Sequence, residues 1–218
     1  MARKSRAWLW IVFVFCLAAV CFVLRRAGDV PGVRQAPAGC PLEAIVKHVI
    51  DGDSFVAAEG YEVRLLNIDT PEYGEPLSKQ AGARLKKLIL GRRVSLSYDQ
   101  EKKDRYGRLL CHVRVGGVWV NRLLVENGLA TVFLVKPNLR KRAELTAAQN
   151  AARRKGIGIW SLPLPAPEEH YVYSRNGFRF HRPGCKFARH ISARNHLKVR
   201  TRDEAFDMGL SPCRECRP

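Results

Sequence analysis

Acidic side chains are scarce in this chain. Only 20 Asp and Glu stand against 38 Lys and Arg in 218 residues, so the formal net charge at pH 7 is +18. The deficit excludes an acidic or neutral exterior and leaves a surface that attracts polyanions, nucleic acid first among them. Anionic lipid, or a soluble protein simply rich in lysine, fits the same balance, and charge alone does not separate these readings. The excess is not confined to a tail: it is about +5 before Gln35, about +8 from there to Pro167, and about +5 beyond.

A processing site is also lacking where one would be expected. Arg3, Lys4 and Arg6 precede an uninterrupted apolar run from Ala7 to Leu24, and Arg25 and Arg26 follow it. No small-x-small cleavage site follows directly, since Ala36-Pro37-Ala38 lies far downstream, and Val20 is too bulky for a lipoprotein signal at Cys21. The run has no polar face, which argues against a buried soluble helix. Its 18 residues match a short membrane span. An uncleaved signal anchor is the expectation and a cleaved export signal the alternative. The basic residues and amine ahead of the run favour a cytoplasmic amino terminus, with the rest of the chain membrane-anchored outside the cytoplasm. Arg26 to Pro41, rich in Gly, Pro and Ala, reads as a flexible tether, so residues 1–41 form anchor and tether.

The folded part begins at Leu42. Leu42–Ile50, Ser54–Ala58 and Tyr61–Ile68 have the β-branched content and turn signals of strands, as do Arg93–Tyr98 and Leu109–Val115, the last reversing at Gly116-Gly117 into Val118–Val120. Ser78–Leu90 has helical periodicity and a stop at Gly91; Asn121–Asn127 and Asn138–Lys155 are the other helices. The fold class is therefore mainly β with α, five short strands and about three helices, which suits a small closed barrel of the OB type. Ser161–Pro167, with three prolines, is a linker to a small module over residues 168–218.

Three stretches carry the chemistry: Asp51-Gly52-Asp53-Ser54, then Arg64 through Asp69-Thr70-Pro71-Glu72, then Asp104-Arg105-Tyr106-Gly107-Arg108. Singly, each is weak, since Asp-Gly is first a turn signal and Asp51 serves as an organiser of that turn. Together they supply two carboxylates for a divalent metal, a further carboxylate as base, and two arginines for phosphate oxygens. A phosphodiester-cleaving site needs such a set. Asp53 and Asp69 are the metal ligands, and hard oxygen donors suit calcium or magnesium.

In order and spacing the three stretches resemble the thermonuclease (staphylococcal nuclease-like) family over Leu42–Trp160, with Ser54 where the family usually has Thr. The resemblance implies the OB barrel, a nuclease domain over residues 42–162 and a calcium ion held also by the carbonyl of Thr70. It further implies Glu72 as general base, Arg64 and Arg108 as catalytic arginines on the scissile phosphate, and 3′-phosphate products. Arg105 lies where the pattern is usually basic, and Tyr106 either stacks on a base or packs. Phe133 and Lys136 lie in a segment where well-studied members use tyrosines to hold a nucleotide. Phe133 can stack but has no hydroxyl for a phosphate.

In the carboxy-terminal module, His181-x3-Cys185 and Cys213-x2-Cys216 have the spacing of a closed tetrahedral zinc site. The segment resembles an Ada-type metal-binding domain with His181 in place of the first cysteine. A module this small has little core of its own and gains from such a staple. Outside the cytoplasm a disulfide among these cysteines is the alternative. The module's basic residues suit an accessory nucleic-acid clamp. Cys111 reads as a small core residue, and nothing pairs Cys40.

The sequence thus points to a membrane-anchored, calcium-dependent nuclease acting on DNA or RNA, with no small-molecule cofactor expected. A non-catalytic nucleic-acid-binding protein on the same barrel is the alternative, and a regulator led by the carboxy-terminal module ranks last.

Overall fold

The computed structural model describes residues 39–218. The apolar run and most of the tether lie outside the described residues. Among the described residues no helix is long and apolar enough to cross a membrane.

Alternation of buried and exposed side chains builds the first strands. In β1 (Glu43–Val49), Ala44 and Val46 face inward while Glu43, Ile45 and Lys47 face out. β2 (Ser54–Ala57) and β3 (Glu62–Leu65) follow, and then β5 (Arg93–Ser97) and β6 (Leu109–Val115). Antiparallel pairing runs β3-β2-β1-β5-β6, and a parallel pairing of β3 with β6 closes the ring. The closed five-strand barrel of the OB type is as expected. A register shift between Val46 and His48 bulges β1 and adds the bend that closure needs. Phe55, Val63, Leu65, Val94, Leu109 and Val113 are among the side chains filling the interior.

Helices cover the barrel. α1 (Ser78–Ile89) buries Ala81, Leu85 and Ile89 at four-residue spacing and carries Lys86 and Lys87 in its last turn, where cations suit the helix dipole. α2 (Val120–Glu126) and α3 (Arg142–Arg154) pack on each other and on the barrel.

Three expectations need correction. The strand expected over Tyr61–Ile68 is broken at Asn67, which adopts φ 62° and turns the chain. Its side chain donates to Asn138 O at 2.8 Å, and its carbonyl accepts from Phe133 N at 2.9 Å. The chain resumes as β4 (Ile68–Asp69), which pairs with β8 (Thr131–Val132) instead of the barrel. The helix expected from Asn138 begins at Arg142, because Asn138 is committed to a loop: its side chain accepts from Glu101 N and donates to Glu101 O. The strand after Gly117 is shorter than expected: β7 is Val118–Trp119, and Val120 opens α2.

The carboxy-terminal module has its own four-stranded sheet, ordered β11 (His196–Val199), β9 (Tyr171–Ser174), β10 (Arg179–His181), β12 (Ser211–Pro212). Two short helices, α4 (Lys186–Arg189) and α5 (Arg202–Asp207), flank it. Edge-to-face contacts of Phe180 with Tyr171 and Phe206, and of Phe206 with Trp160, knit its core to the end of the barrel domain. Arg153 on α3 ion-pairs with Asp203 and Asp207 on α5, and Arg142 donates to Met208 O at 2.7 Å. The module is thereby fixed against the barrel.

Candidate active site

The barrel brings the first two motifs to one end. Pairing of Ser54 with Arg64 sets Asp53 beside Arg64, and β4 delivers Asp69 and Thr70 to the same place. Asp53 is buried and fully engaged. Its Oδ2 accepts from Thr70 N at 2.9 Å and Thr70 Oγ1 at 3.0 Å, and its Oδ1 accepts from Ser54 Oγ at 3.1 Å. The serine at position 54 therefore still supplies the hydroxyl. Asp51 organises the turn as expected, its Oδ1 accepting from Asp53 N at 2.9 Å. Desolvation, and then the Asp53 charge, pushes the Asp51 carboxyl up to about 6.

Arg64 bridges the two candidate metal ligands, with Nη1 3.0 Å from Asp53 Oδ2 and Nη2 3.0 Å from Asp69 Oδ1. Desolvation raises the Asp69 carboxyl; the Arg64 and Arg214 charges oppose that rise, and Asp53 adds to it. Glu72 stands on the loop between β4 and α1 with its side chain 58% exposed. Its backbone N–H donates to Glu75 Oε2 at 2.8 Å, which fixes the loop around it. The structure thus brings together Asp53, Arg64, Asp69, Thr70 and Glu72.

Arg108 immediately precedes β6, across the parallel β3–β6 pairing from Glu62. It does not pair with the central carboxylates: Nε donates to Asp104 Oδ2 at 2.7 Å, and Nη1 lies 3.5 Å from Glu62 Oε1. Burial works against its charge, but Asp104 and Glu62 outweigh that and raise its pKa. Asp104 shapes this loop by accepting from the backbone N–H of Tyr106 and of Arg108. Tyr106 is 68% exposed, with Arg105 and Arg108 guanidinium carbons 4.7 and 5.6 Å from its ring centroid. It therefore does not pack into the core. Phe133 is half-buried under Arg179, whose guanidinium carbon is 4.5 Å from the ring centroid. Lys136 is exposed.

The module adds residues that the motifs did not reveal. Arg214 places Nη2 2.6 Å from Asp69 Oδ1 and Nε 3.2 Å from Asp69 Oδ2, and it ion-pairs with Glu72 Oε1. Arg217 lies 3.3 Å from Glu75 Oε1. A cavity of about 330 Å³ separates barrel from module, lined among others by Asp69, Thr70, Glu75, Thr131 and Arg214. Basic charge in the module was legible in the sequence; which arginine meets Asp69 was not, because the contact spans 145 positions.

Two donor sets fit metals. Asp53 and Asp69 present hard carboxylate oxygens bridged by Arg64, with Arg214 also on Asp69. Thr70 spends both its hydrogen-bond donors on Asp53, and its carbonyl oxygen is a further hard donor of the type such a cation takes. This set suits a divalent hard cation. In the module, the ligand atoms of His181, Cys185, Cys213 and Cys216 all lie within 4.8 Å of one another. Tetrahedral thiolate sites with Zn–S near 2.3 Å place sulfurs about 3.8 Å apart, so the cluster suits zinc. Among the described residues no disulfide forms, and all five cysteines are free. Burial opposes a thiolate at Cys185, but hydrogen bonds from the backbone of Phe187 and Ala188 and from the other two thiols bring its pKa down. Burial, and then Arg179, lowers the pKa of His181 and so favours the neutral, ligating imidazole. Cys111 is wholly buried in the barrel, as expected of a core residue.

Comparison with known proteins gives the family of the barrel domain. The family described as "Staphylococcal nuclease homologue" matches residues 62–162. The thermonuclease of Staphylococcus intermedius is 33% identical over 159 residues, covering 68% of this chain and 95% of that protein. The thermonuclease of Staphylococcus hyicus is 33% identical, covering 53% of this chain and 74% of the relative. A protein of Escherichia coli named "Uncharacterized endonuclease" is also 33% identical, covering 56% and 79%. The family match ends at residue 162, ahead of the module.

Proposed function

This chain belongs to the staphylococcal nuclease family and is a phosphodiester-hydrolysing nuclease, and on that premise we propose that it cleaves DNA or RNA with a calcium ion held by Asp53, Asp69 and Thr70. The observation that carries the reading is the convergence of Asp53, Arg64, Asp69, Thr70 and Glu72 at one end of the barrel. When bound, the cation supplies positive charge to the phosphate and polarises it toward attack.

The chain's own residues do the rest. Glu72, exposed to solvent and fixed by its loop, takes a proton from water as the oxygen attacks phosphorus. Arg64 and Arg108, each oriented by two carboxylates, offer planar guanidinium donors to the phosphate oxygens that gain charge. Cleavage of the P–O5′ bond then leaves a 3′-phosphate on one fragment and, once the departing oxygen takes a proton from solvent, a 5′-hydroxyl on the other. Tyr106 and Arg105 serve the flanking strand by stacking and charge, with Phe133 and Lys136 as further contacts.

His181, Cys185, Cys213 and Cys216 hold a structural zinc ion that staples the module, a reading supported by the clustering of their ligand atoms. The apolar run Ala7–Leu24 anchors the protein, with the nuclease outside the cytoplasm, a reading supported by the sequence alone.

The test is incubation of the full-length protein with single-stranded DNA and RNA, in calcium or in chelator. Calcium-dependent cleavage supports the reading. Tight binding without cleavage at any metal tested would replace it with a nucleic-acid-binding role.

A further inference from the structure

Residues 211–217 form a turn held by several hydrogen bonds. β12 pairs in parallel with β10, and Cys213 N donates to Phe180 O at 3.0 Å. Arg217 N donates to Cys213 O at 2.9 Å, and Arg182 Nε donates to Cys216 O at 3.0 Å. Cys213 and Cys216, at either end of the Arg214-Glu215 pair, belong to the four-ligand cluster. Arg214 is therefore presented from a fixed backbone, and it reaches out of the module into the nuclease centre.

What it meets there decides its role. Both oxygens of Asp69 take an Arg214 donor, at 2.6 and 3.2 Å, and a third donor pairs with Glu72. Calcium bonds to carboxylate oxygens at about 2.3–2.6 Å. Asp69 Oδ1 also accepts from Arg64 Nη2 at 3.0 Å, so both its lone-pair sites are taken, and a cation that close would have to displace a guanidinium and would repel its charge. The base is engaged at the same time, because Glu72 cannot hold Arg214 and accept a proton from water through the same oxygen. Burial opposes the charge on Arg214, but Asp69 and Glu72 overcome it, so the guanidinium stays charged.

We infer that Arg214 is a tethered cation that competes with calcium for Asp69 and keeps Glu72 paired until calcium displaces it. The inference rests on the calcium and base roles given above to Asp69 and Glu72. Arg214 acts through those two carboxylates and is a positioning residue. Its side chain is 49% exposed, so displacement does not require unfolding of the module. Tethering gives the guanidinium a high effective concentration at the site. The linkage is reciprocal: whatever calcium does to the Arg214 contact, the contact does to calcium affinity.

Calorimetric titration of calcium into the full-length protein, alongside its cleavage of single-stranded DNA, tests this directly. Wild type, Arg214→Ala and Arg200→Ala are compared, the last removing one positive charge from an exposed part of the module. Arg214→Ala should bind calcium more tightly by about tenfold, within the usual range of coupling between two sites. Its half-saturating calcium for cleavage should fall in parallel, while Arg200→Ala tracks wild type. Unchanged calcium affinity in Arg214→Ala, with a raised KM or a lowered kcat, would overturn the inference and make Arg214 a phosphate contact. Equal tightening in both variants would overturn it in favour of a general charge effect. Absence of calcium binding in all three proteins would overturn the underlying calcium site as well.

Discussion

Thr70 donates twice to one carboxylate oxygen of Asp53, through its backbone N–H at 2.9 Å and its hydroxyl at 3.0 Å. That pair of hydrogen bonds from the β4 end to the β2 start locks the first candidate metal ligand to the second motif. Gly52 makes the approach possible: a Cβ there would meet Thr70 Oγ1 at 2.6 Å and Ala81 Cβ at 2.8 Å. The Asp-Gly-Asp sequence is thus a packing requirement as well as a turn.

Gly52→Ala should disturb the site and cost about 1–3 kcal/mol of stability through overpacking. Displacement of Thr70 frees Asp53 to rotate, and misplacement of about 1 Å costs on the order of a hundredfold in rate. Denaturant unfolding and a cleavage assay measure the two effects. A variant with wild-type activity and stability would show that Thr70 and α1 yield freely.

Asn121 is wholly buried and joins three elements. Its Oδ1 accepts from Val113 N at 2.8 Å, and its Nδ2 donates to Leu66 O at 3.0 Å and Cys111 O at 3.2 Å. Asn121→Ala leaves three buried backbone groups without this partner, and should destabilise the protein by roughly 2–4 kcal/mol. Equilibrium unfolding reads the loss directly.

His112 gives stability a pH dependence. The ring is 5% exposed, neither nitrogen has a hydrogen-bond partner among the described residues, and Trp119 packs edge-on at 5.3 Å. Desolvation lowers its pKa from 6.5 to about 4, with Asp99 and Glu144 opposing the shift and Lys141 and Arg114 assisting it. The unfolded chain therefore takes up the proton first as pH falls. Stability present above pH 6.5 is lost down to about pH 4, by up to about 3 kcal/mol. His112→Phe should flatten that part of the curve, as thermal unfolding at pH 7 and pH 4.5 would reveal; parallel losses in both proteins would contradict it.

The purified protein should carry about one zinc ion per chain, and Cys216→Ser or His181→Ala should lose it. Elemental analysis with thiol counting distinguishes this from a disulfide, which would hide two thiols and leave no metal.

Local patterns were legible in the sequence where one face decides the structure. β6 spans Leu109–Val115 and α1 begins at Ser78, both as expected, because apolar periodicity and adjacent glycines set them. The break at Asn67 was hidden, since it depends on Asn138, 71 positions away. The late start of α3 was hidden for the same reason. Asp53, Arg64, Asp69, Thr70 and Glu72 lie in the motifs that carry the family resemblance, and such motifs report residues near one another in sequence. Arg214 lay inside a Cys-x2-Cys pair that reads as a metal turn. Docking of the module, through Arg153 against α5, Arg142 against Met208, Trp160 against Phe206 and the terminal turn against Glu75, carries it to Asp69.

The most direct test of the nuclease mechanism is the turnover of Glu72→Gln on single-stranded DNA at saturating calcium. The side chain is largely exposed, so its charge contributes little to folding and the melting temperature should stay near wild type. Loss of the base should lower kcat by about 10²–10⁴-fold. Wild-type turnover in a folded Glu72→Gln protein would contradict the assignment and leave the water to be activated by another group.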